Sequence, residues 1–221
     1  MLFGQELLLS AQADKCLVFP TGNTEYAILD SPITLPIAGA TLAVWFNRDF
    51  DNDGKRFIFG NTTSATKNYL NYDNATVIAE TDNAGGADYW TLINPSADLR
   101  NYWHLMVITA IGGGIVHTYL DDMITPTDTE TGVSDPITID QIGRGGSANT
   151  QCWKGKLKTA ALSITGAISE AERIALFNNA DPLTISAFTN IWKMNEGSGS
   201  IIKDCVGGID GTITNAKWGD V

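Results

Sequence analysis

The sequence contains little of what membrane spans and disulfide frameworks require. Only 18% of its 221 residues are charged, yet no run approaches the roughly 20 apolar residues that cross a bilayer. The cysteines Cys16, Cys152 and Cys205 are odd in number, which excludes a complete disulfide framework. We therefore expect free thiols, with Cys16–Cys205 as the one pairing worth checking. The first residues, Met1–Glu6, carry no basic segment and do not resemble a secretory signal.

Basic residues are also scarce. Lysine and arginine together number 14, against 25 aspartates and glutamates, so the formal net charge is −11. A surface of this sign repels nucleic acid and anionic membranes. We expect neither nucleic acid nor an inserted membrane as a partner.

Recognisable catalytic motifs are missing as well. The sequence has no Gly-x-Ser-x-Gly turn, no phosphate loop and no zinc-ligand spacing. Its two histidines, His104 and His117, are interpreted as structural neighbours across a hairpin. Glycosidases need two carboxylates that flank the scissile bond, and the nearest approach, Glu80 and Asp82, lacks a further glutamate. We therefore predict that the protein is not an enzyme.

What the sequence does contain is a succession of short runs rich in β-branched and aromatic residues, each bounded by turn-forming residues. In Ala40–Arg48 both alternating faces are apolar, which indicates a central strand. Thr125–Pro136 is predicted to be a long exposed loop. The pattern as a whole predicts two packed antiparallel sheets. The predicted strands are 15–19, 24–29, 40–48, 55–60, 67–72, 76–80, 87–93, 101–110, 114–121, 136–143, 156–164, 190–195 and 211–215.

One short helix is predicted over Ser169–Asn178. Ser169 and Glu172 have the spacing of a capping box, and Asn178 with Asn179 can form the left-handed turn that ends a helix. Its length suits a lid or a connector. The predicted apolar stripe consists of Ala171, Ile174 and Ala175.

Three segments carry a family resemblance. The first is a Trp-His hairpin over Trp103–Asp122, and the second runs from Ile142 through Trp153–Leu157 into the capped helix. The third is Trp192–Gly199, followed by Asp204 and a Gly-Thr pair. Together they resemble the laminin G-like family of the concanavalin A-like lectin and glucanase superfamily. The resemblance implies an all-β, two-sheet antiparallel jelly-roll sandwich with one short helix, but no single function, because this fold carries many functions.

The third segment is unusual in its position. In similar sequences the Glu-Gly-Ser-Gly motif precedes the body of the domain, whereas here Glu196–Gly199 lies near the C-terminus. We interpret residues 1–221 as a single domain in which 186–221 supplies permuted edge or first strands. The alternative is that 186–221 begins a truncated second unit.

Two acidic loops are candidates for a structural calcium ion. Asp49, Asp51 and Asp53 alternate as in the first half of a calcium loop, although the glutamate expected at the twelfth position is absent. Near the C-terminus, Asp204 and Asp210 lie among glycines that free backbone carbonyl groups. The alternative at both loops is an ordinary turn stabilised by Asp and Asn side chains.

Aromatic side chains are the candidates for contact with a sugar, because a pyranose ring presents an apolar face on which an aromatic ring can stack. Tyr89, Trp90 and Trp153 are the predicted ligand-binding residues, since each lies beside polar residues. Packing in the core is the alternative for Tyr89 and Trp90. The tryptophans assigned to the core are Trp45, Trp103 and Trp192.

The sequence therefore predicts a non-catalytic module that binds or decorates a surface. We expect a bacteriophage-like structural or adhesion protein on the virion surface, because a chain without a secretory signal and with unpaired cysteines suits folding in a host cytoplasm. Its partner would be a surface glycan or another virion protein, with homo-oligomerisation or attachment to a lattice. The alternatives are an extracellular bacterial glycan-binding domain, a glycoside hydrolase, and a calcium-stabilised spacer.

Overall fold

Short strands dominate the fold, as the β-branched and aromatic runs predict. A computed structural model describes residues 14–49, 56–62, 69–73, 76–83, 86–93, 99–145 and 152–221. At residue 69 and within 71–93 the description covers the backbone alone. Within these ranges two eight-stranded antiparallel sheets pack face to face, so the predicted sandwich is confirmed.

In both sheets, many neighbouring strands are not consecutive in the chain. The first sheet contains, in spatial order, β10 (Asp128–Glu130), β9 (Ile115–Leu120), β8 (His104–Gly112), β3 (Ala40–Arg48), β12 (Gly155–Ser163), β1 (Lys15–Phe19) and β16 (Lys217–Asp220), with β13 (Asn190–Trp192) also paired to β12. The second sheet contains β14 (Ile201–Ile202), β15 (Gly211–Thr214), β2 (Tyr26–Leu35), β11 (Ile137–Ile142), β4 (Arg56–Gly60), β5 (Tyr69–Asp73), β6 (Thr76–Asn83) and β7 (Gly86–Ile93).

Alternation along β3 builds two separate hydrophobic clusters. Val44 and Phe46 are fully buried in the core between the sheets. Ala43 faces the opposite side and belongs to an outer cluster beneath the helix, and Trp45 packs against this cluster. The prediction that both faces of this strand are covered and that it lies centrally in its sheet is confirmed. The outer cluster consists of Ala43, Leu105, Val107, Tyr119, Met123, Ala161, Ile168, Leu176, Ile185, Phe188 and Ile191.

Strand β12 contains a β-bulge that sets the orientation of its residues. Leu157 lies opposite Phe46 and Thr159 lies opposite Trp45, so Lys158 is an extra residue with no partner position on β3. A bulge of this kind restarts the alternation one residue later. The residues that face the core between the sheets after the bulge are Ala160 and Leu162.

The Trp-His segment forms the predicted hairpin of β8 and β9, and the Gly112–Gly114 turn has positive φ angles throughout. The predicted pairing of the two histidines is wrong. His117 lies opposite Thr109 on β8, whereas His104 lies opposite a residue of β3. The Nδ1 atom of His104 instead lies 2.6 Å from the Oδ2 atom of Asp121, so the aspartate fixes the orientation of the ring.

The predicted helix is confirmed as α1, Glu170–Phe177. The Ser169 hydroxyl accepts a hydrogen bond from the Glu172 N–H, and the Glu172 carboxylate accepts one from the Ser169 N–H. This capping box satisfies two N–H groups that a helix start leaves without partners. The helix ends at Asn178, which is its C-cap, and Asn179 follows with φ 64°.

The buried stripe of α1 differs from the prediction. Ala171 is exposed, and the buried residues are Arg173 and Leu176. Arg173 is tolerated there because its guanidinium lies 3.9 Å above the Tyr119 ring and donates hydrogen bonds to two backbone carbonyls. Those carbonyls belong to Met123 and Ile168.

Residues 190–220 contribute strands to both sheets. Strand β13 pairs with β12 and β16 pairs with β1, while β15 pairs with β2 and carries β14 at the sheet edge. Three short strands were not expected from the sequence, namely β10, β14 and β16. The first of them lies inside the predicted loop Thr125–Pro136, where it pairs with β9.

The thiol prediction is confirmed, because all three cysteines are free. Cys16 and Cys152 are buried and Cys205 is exposed. In the parts of the chain that the structure describes, no helix has the length and apolar character needed to cross a membrane.

We predict that Arg173→Ala lowers the free energy of unfolding by about 2–4 kcal/mol, because it leaves two buried carbonyl groups without donors and removes packing against Tyr119. Urea unfolding followed by circular dichroism measures the change. Ala171→Ser, at an exposed position of the same helix, is the control and should change stability by about 0.5 kcal/mol or less. Equal effects of the two substitutions would show that the guanidinium does not anchor the helix.

Candidate functional site

Trp153 is not available to a ligand. Its side chain is 0% exposed and meets Phe46 edge to face, with ring centroids 5.8 Å apart. The backbone N–H of Trp153 donates a 2.7 Å hydrogen bond to the Gly143 carbonyl, which ties this segment to the residue that follows β11. The prediction of ligand contact at Trp153 is therefore wrong, and the residue belongs to the core between the sheets.

Tyr89 and Trp90 lie on β7, an edge strand of the second sheet, opposite Glu80 and Ala79 of β6. Successive residues of a strand point to opposite faces. At most one of the two rings can therefore face a given surface. Their side chains lie outside the described residues, and contact with a ligand at this strand stays a prediction.

The first acidic loop is described only at its start. Asp49 is exposed, and its backbone N–H donates a 3.2 Å hydrogen bond to the Lys154 carbonyl. Asp51 and Asp53 lie outside the described residues. Calcium at this loop stays a prediction.

The second acidic loop has a different role from the one predicted. The buried Asp204 carboxylate accepts five hydrogen bonds from N–H groups, with lengths of 2.6 to 3.0 Å. A cation would face these donors, so the arrangement does not fit a calcium site. The donors are the side-chain amide of Asn190 and the backbone N–H groups of Ile191, Val206, Gly207 and Ile209.

The Asp210 carboxylate is also engaged by donor groups. It forms an ion pair with Lys203 and accepts a 3.0 Å hydrogen bond from the Asp204 N–H. The prediction of Asp204 and Asp210 as calcium ligands is therefore corrected. Both carboxylates accept hydrogen bonds from N–H or ammonium groups and stabilise the loop in this way. Among the residues whose positions are described, no cluster of three or more His, Cys, Asp or Glu side chains could hold a metal ion.

Burial acts to raise the pKa of the Asp204 carboxyl, but the hydrogen bonds from Ile191, Asn190, Val206 and Ile209 outweigh it and lower the pKa below its usual value. Asp204 therefore remains ionised in the folded state at neutral pH. It contributes stability that is present above the carboxyl pKa of the unfolded chain and is lost as the pH falls through the lowered pKa.

We predict that Asp204→Ala lowers the free energy of unfolding by about 2–4 kcal/mol at neutral pH, because five donors lose a charged acceptor. The difference from the unmodified chain should begin to shrink as the pH falls below about 4, the usual carboxyl pKa of an unfolded chain, and should shrink further as the pH falls through the lowered pKa of the folded state. Denaturant unfolding at several pH values measures both effects.

The control for this experiment is Asp30→Ala, which changes an exposed aspartate. The loss caused by Asp204→Ala should have the same size in excess calcium and in EDTA. A loss that occurs in calcium and disappears in EDTA would restore the metal-ligand interpretation.

The structure instead contains a cleft that was not predicted, on the outer face of the first sheet beside α1. Its volume is about 290 Å³, and we call it the Trp45 cleft. Trp45 forms part of its wall, partly buried and stacked at 6.3 Å against Phe177 of the helix. The polar side chains that line it include Lys15, Lys158, Asn179, Asp181, Lys193 and Asn195.

The bulge in β12 places Lys158 in this cleft. Its ammonium group lies 4.7 Å from the centre of the Trp45 ring and 5.0 Å from that of Trp103. Both distances allow cation–π attraction. Burial lowers the pKa of Lys158, while the charges of Asp14 and Cys16 act in the opposite direction.

The other two lysines of the cleft are neutralised by partners. Lys15 lies 2.6 Å from Asp220, and Lys193 lies 2.8 Å from Asp181. Within the described residues, the Lys158 ammonium makes neither an ion pair nor a hydrogen bond. Lys158 is thus the lysine of the cleft whose charge has no carboxylate partner within the described residues.

Two turns place the amide and carboxylate groups at the rim. Asn179 follows the C-cap of α1, where Asn accepts the positive φ more readily than most residues. Asp181 is the N-cap of a 3-10 helix, Pro182–Thr184, and accepts a 3.1 Å hydrogen bond from the Leu183 N–H. Hydrogen bonds from the Lys193 ammonium and this N–H lower the pKa of Asp181, so it remains ionised.

The sequence predicts Trp45 and Trp103 in the core because both occur in apolar alternation. Only Trp192 of that group is fully buried, and the other two are partly exposed. A signal was present in the sequence, because the adjacent polar residues Lys158 and Thr159 break the alternation of polar and apolar residues along β12. The Trp45 cleft depends on a bulge that this pattern does not place.

Comparison with known proteins agrees with the observed fold. A laminin G-like model of the concanavalin A-like lectin/glucanases superfamily matches residues 21–172. No curated protein sequence matches the chain significantly.

Two solved structures have the same fold. A candidate carbohydrate-binding protein from Bacteroides ovatus superimposes with a TM-score of 0.70 at 17% identity, covering 95% of this chain and 60% of that one. The native heptameric SAP-like pentraxin from Limulus polyphemus gives a TM-score of 0.56 at 16% identity, covering 92% and 97%. This chain therefore spans 60% of the length of the Bacteroides protein, and at these identities the likeness shows the fold alone.

Proposed function

This chain belongs to the concanavalin A-like lectin/glucanases superfamily, and from that premise we propose that it is a non-catalytic carbohydrate-binding module whose ligand lies in the Trp45 cleft. The observation that carries the proposal is the combination, in one cleft, of an indole wall, two asparagine amides and the Lys158 ammonium, which has no carboxylate partner among the described residues. The name of the Bacteroides relative points in the same direction.

The chemistry of the cleft matches that of a sugar. A sugar ring presents apolar C–H groups on one face and hydroxyl groups around its edge. Trp45 supplies apolar surface, whereas Asn179 and Asn195 can both donate to and accept from hydroxyl groups. Lys158 can donate up to three hydrogen bonds. A mostly formed cleft with a few convergent polar groups is typical of a small-molecule site.

The absence of catalysis is part of the proposal. Glycosidases need a carboxylic acid with a raised pKa to protonate the leaving oxygen. Asp181, a carboxylate of the Trp45 cleft, has a lowered pKa because Lys193 and the Leu183 N–H hold its charged form. It is unsuited to the role of a general acid, which supports binding without turnover.

The setting in which the module works is a separate question. Surface glycans remain the favoured partner, and the virion surface stays a prediction from the sequence. Association with another virion protein also stays a prediction from the sequence.

We predict that Lys158→Met weakens glycan binding by about tenfold or more. A hydrogen bond to a charged group contributes about 1.5–3 kcal/mol, whereas the methionine side chain keeps apolar contact with the two indoles. A glycan array identifies binders, and isothermal titration calorimetry with the strongest of them measures the dissociation constant.

Lys217→Met is the matched control, because Lys217 is exposed on β16 and does not line the Trp45 cleft. It should leave the dissociation constant unchanged. Equal binding by both variants would place the ligand elsewhere, and array-wide absence of binding would contradict the proposed function itself.

We also predict that binding depends weakly on salt. Two of the three lysines of the cleft are already paired with aspartates, so recognition relies on hydrogen bonds and apolar contact. Raising ionic strength shortens the Debye length from about 10 Å at 0.1 M to about 3 Å at 1 M. The dissociation constant for the array-selected glycan should change by about twofold or less over this range. A steep loss of affinity would indicate binding through net charge.

A further inference from the structure

A second cleft lies on the same outer face of the first sheet. Its volume is about 300 Å³, and we call it the Asn47 cleft. Its polar lining consists of an amide from β3, an amide from the turn before β8, a carboxylate and a lysine. These residues are Asn47, Asn101, Asp49 and Lys156.

The two clefts are neighbours along the same strands. Trp45 and Asn47 are two residues apart on β3 and therefore point to the same face. Lys156 lies opposite Asn47 on β12, while Thr159 lies opposite Trp45. Positions two residues apart on a strand are separated by about 7 Å, which is comparable to the length of one sugar residue in a chain.

Lys158 lies at the junction. Its ammonium contacts Trp45, which lines the first cleft, and Trp103, which comes two residues after Asn101 of the second. The N–H of Asn101 donates a 3.0 Å hydrogen bond to the Arg48 carbonyl, and this bond fixes the turn beside β3.

An exposed aromatic residue follows Asn101 in the chain. Tyr102 is 71% exposed and directly follows Asn101. Large aromatic side chains are usually more buried than this, and an exposed ring beside a polar cleft provides a surface on which a sugar can stack. The outer face thus presents a series from the Trp45 cleft through Lys158 to the Asn47 cleft, and Tyr102 follows the Asn101 of that second cleft in the chain.

We propose that the two clefts form one groove that holds a linear glycan segment of at least three sugar residues. This inference rests on the proposed function, because it extends the same site. A single sugar would occupy the Trp45 cleft, and further residues would reach Lys158 and the Asn47 cleft. The ligand class is therefore an oligosaccharide or polysaccharide chain and not an isolated terminal sugar.

The test uses laminari-, xylo- and manno-oligosaccharides of one to six residues, with calorimetry on the full chain. For any series that binds, affinity should rise by about tenfold or more from one to three residues and then level off. The double variant Asn47→Ala/Tyr102→Ala should lose this gain while binding the shortest ligand as before. Val206→Ala, an exposed apolar position outside both clefts, is the control, and thermal melting verifies that each variant is folded.

The possible failures are distinguishable. Binding that is equally tight for one residue and for six, and sensitive to Lys158→Met, would overturn the extended groove while leaving the proposed function intact. Binding to no member of the three series and to no glycan on the array would overturn both. A double variant that retains the length dependence would also contradict the groove.

Discussion

The β-bulge in β12 is the constraint on which both faces of the first sheet depend. Without the bulge at Lys158, strict alternation after Leu157 would turn Thr159 toward the core and Ala160 outward. With it, Ala160 enters the core between the sheets and Thr159 lies opposite Trp45. The bulge therefore keeps apolar residues in the core on one face of the sheet. On the other face it places the Lys158 ammonium against the indole rings of Trp45 and Trp103.

The rim of the Trp45 cleft depends on the anchors at its two sides. On one side, α1 is fixed by its capping box and by the buried Arg173, and its end carries Asn179. On the other side, Asp204 accepts hydrogen bonds from the two residues that open β13, and Lys193 follows that strand directly. Polar groups that were first considered as metal ligands thus support the site from outside.

Much of the fold could be predicted from the sequence because local patterns determine it. The bounds of β1 and β3 coincide with the predicted runs, since both are defined by turn residues at their ends. The capping box is equally local, because both partners lie within four residues. Two-residue and three-residue strands such as β14 and β10 were missed because their pairing, and not their composition, makes them strands.

The site was harder to predict for a physical reason. Trp153 stands next to Lys154 and is fully buried, whereas Trp45 stands between Val44 and Phe46 and is partly exposed. Burial depends on which face of a packed segment each ring occupies, and the neighbouring residues do not determine it. Arg173 was missed as a core residue because its burial requires the Tyr119 ring and the Met123 carbonyl, both from a distant part of the chain. Composition and spacing carry no information about such partners.

The central claim is that a glycan binds on the outer face of the first sheet, and the indole N–H signals of the six tryptophans test it most directly. These signals can be assigned by single Trp→Phe substitutions and followed by two-dimensional NMR during titration with an array-selected oligosaccharide. Trp45 and Trp103 should shift with a common dissociation constant, while the buried Trp153 and Trp192 should not. Shifts confined to Trp90, with Trp45 and Trp103 unchanged at saturation, would contradict the claim and move the site to the second sheet.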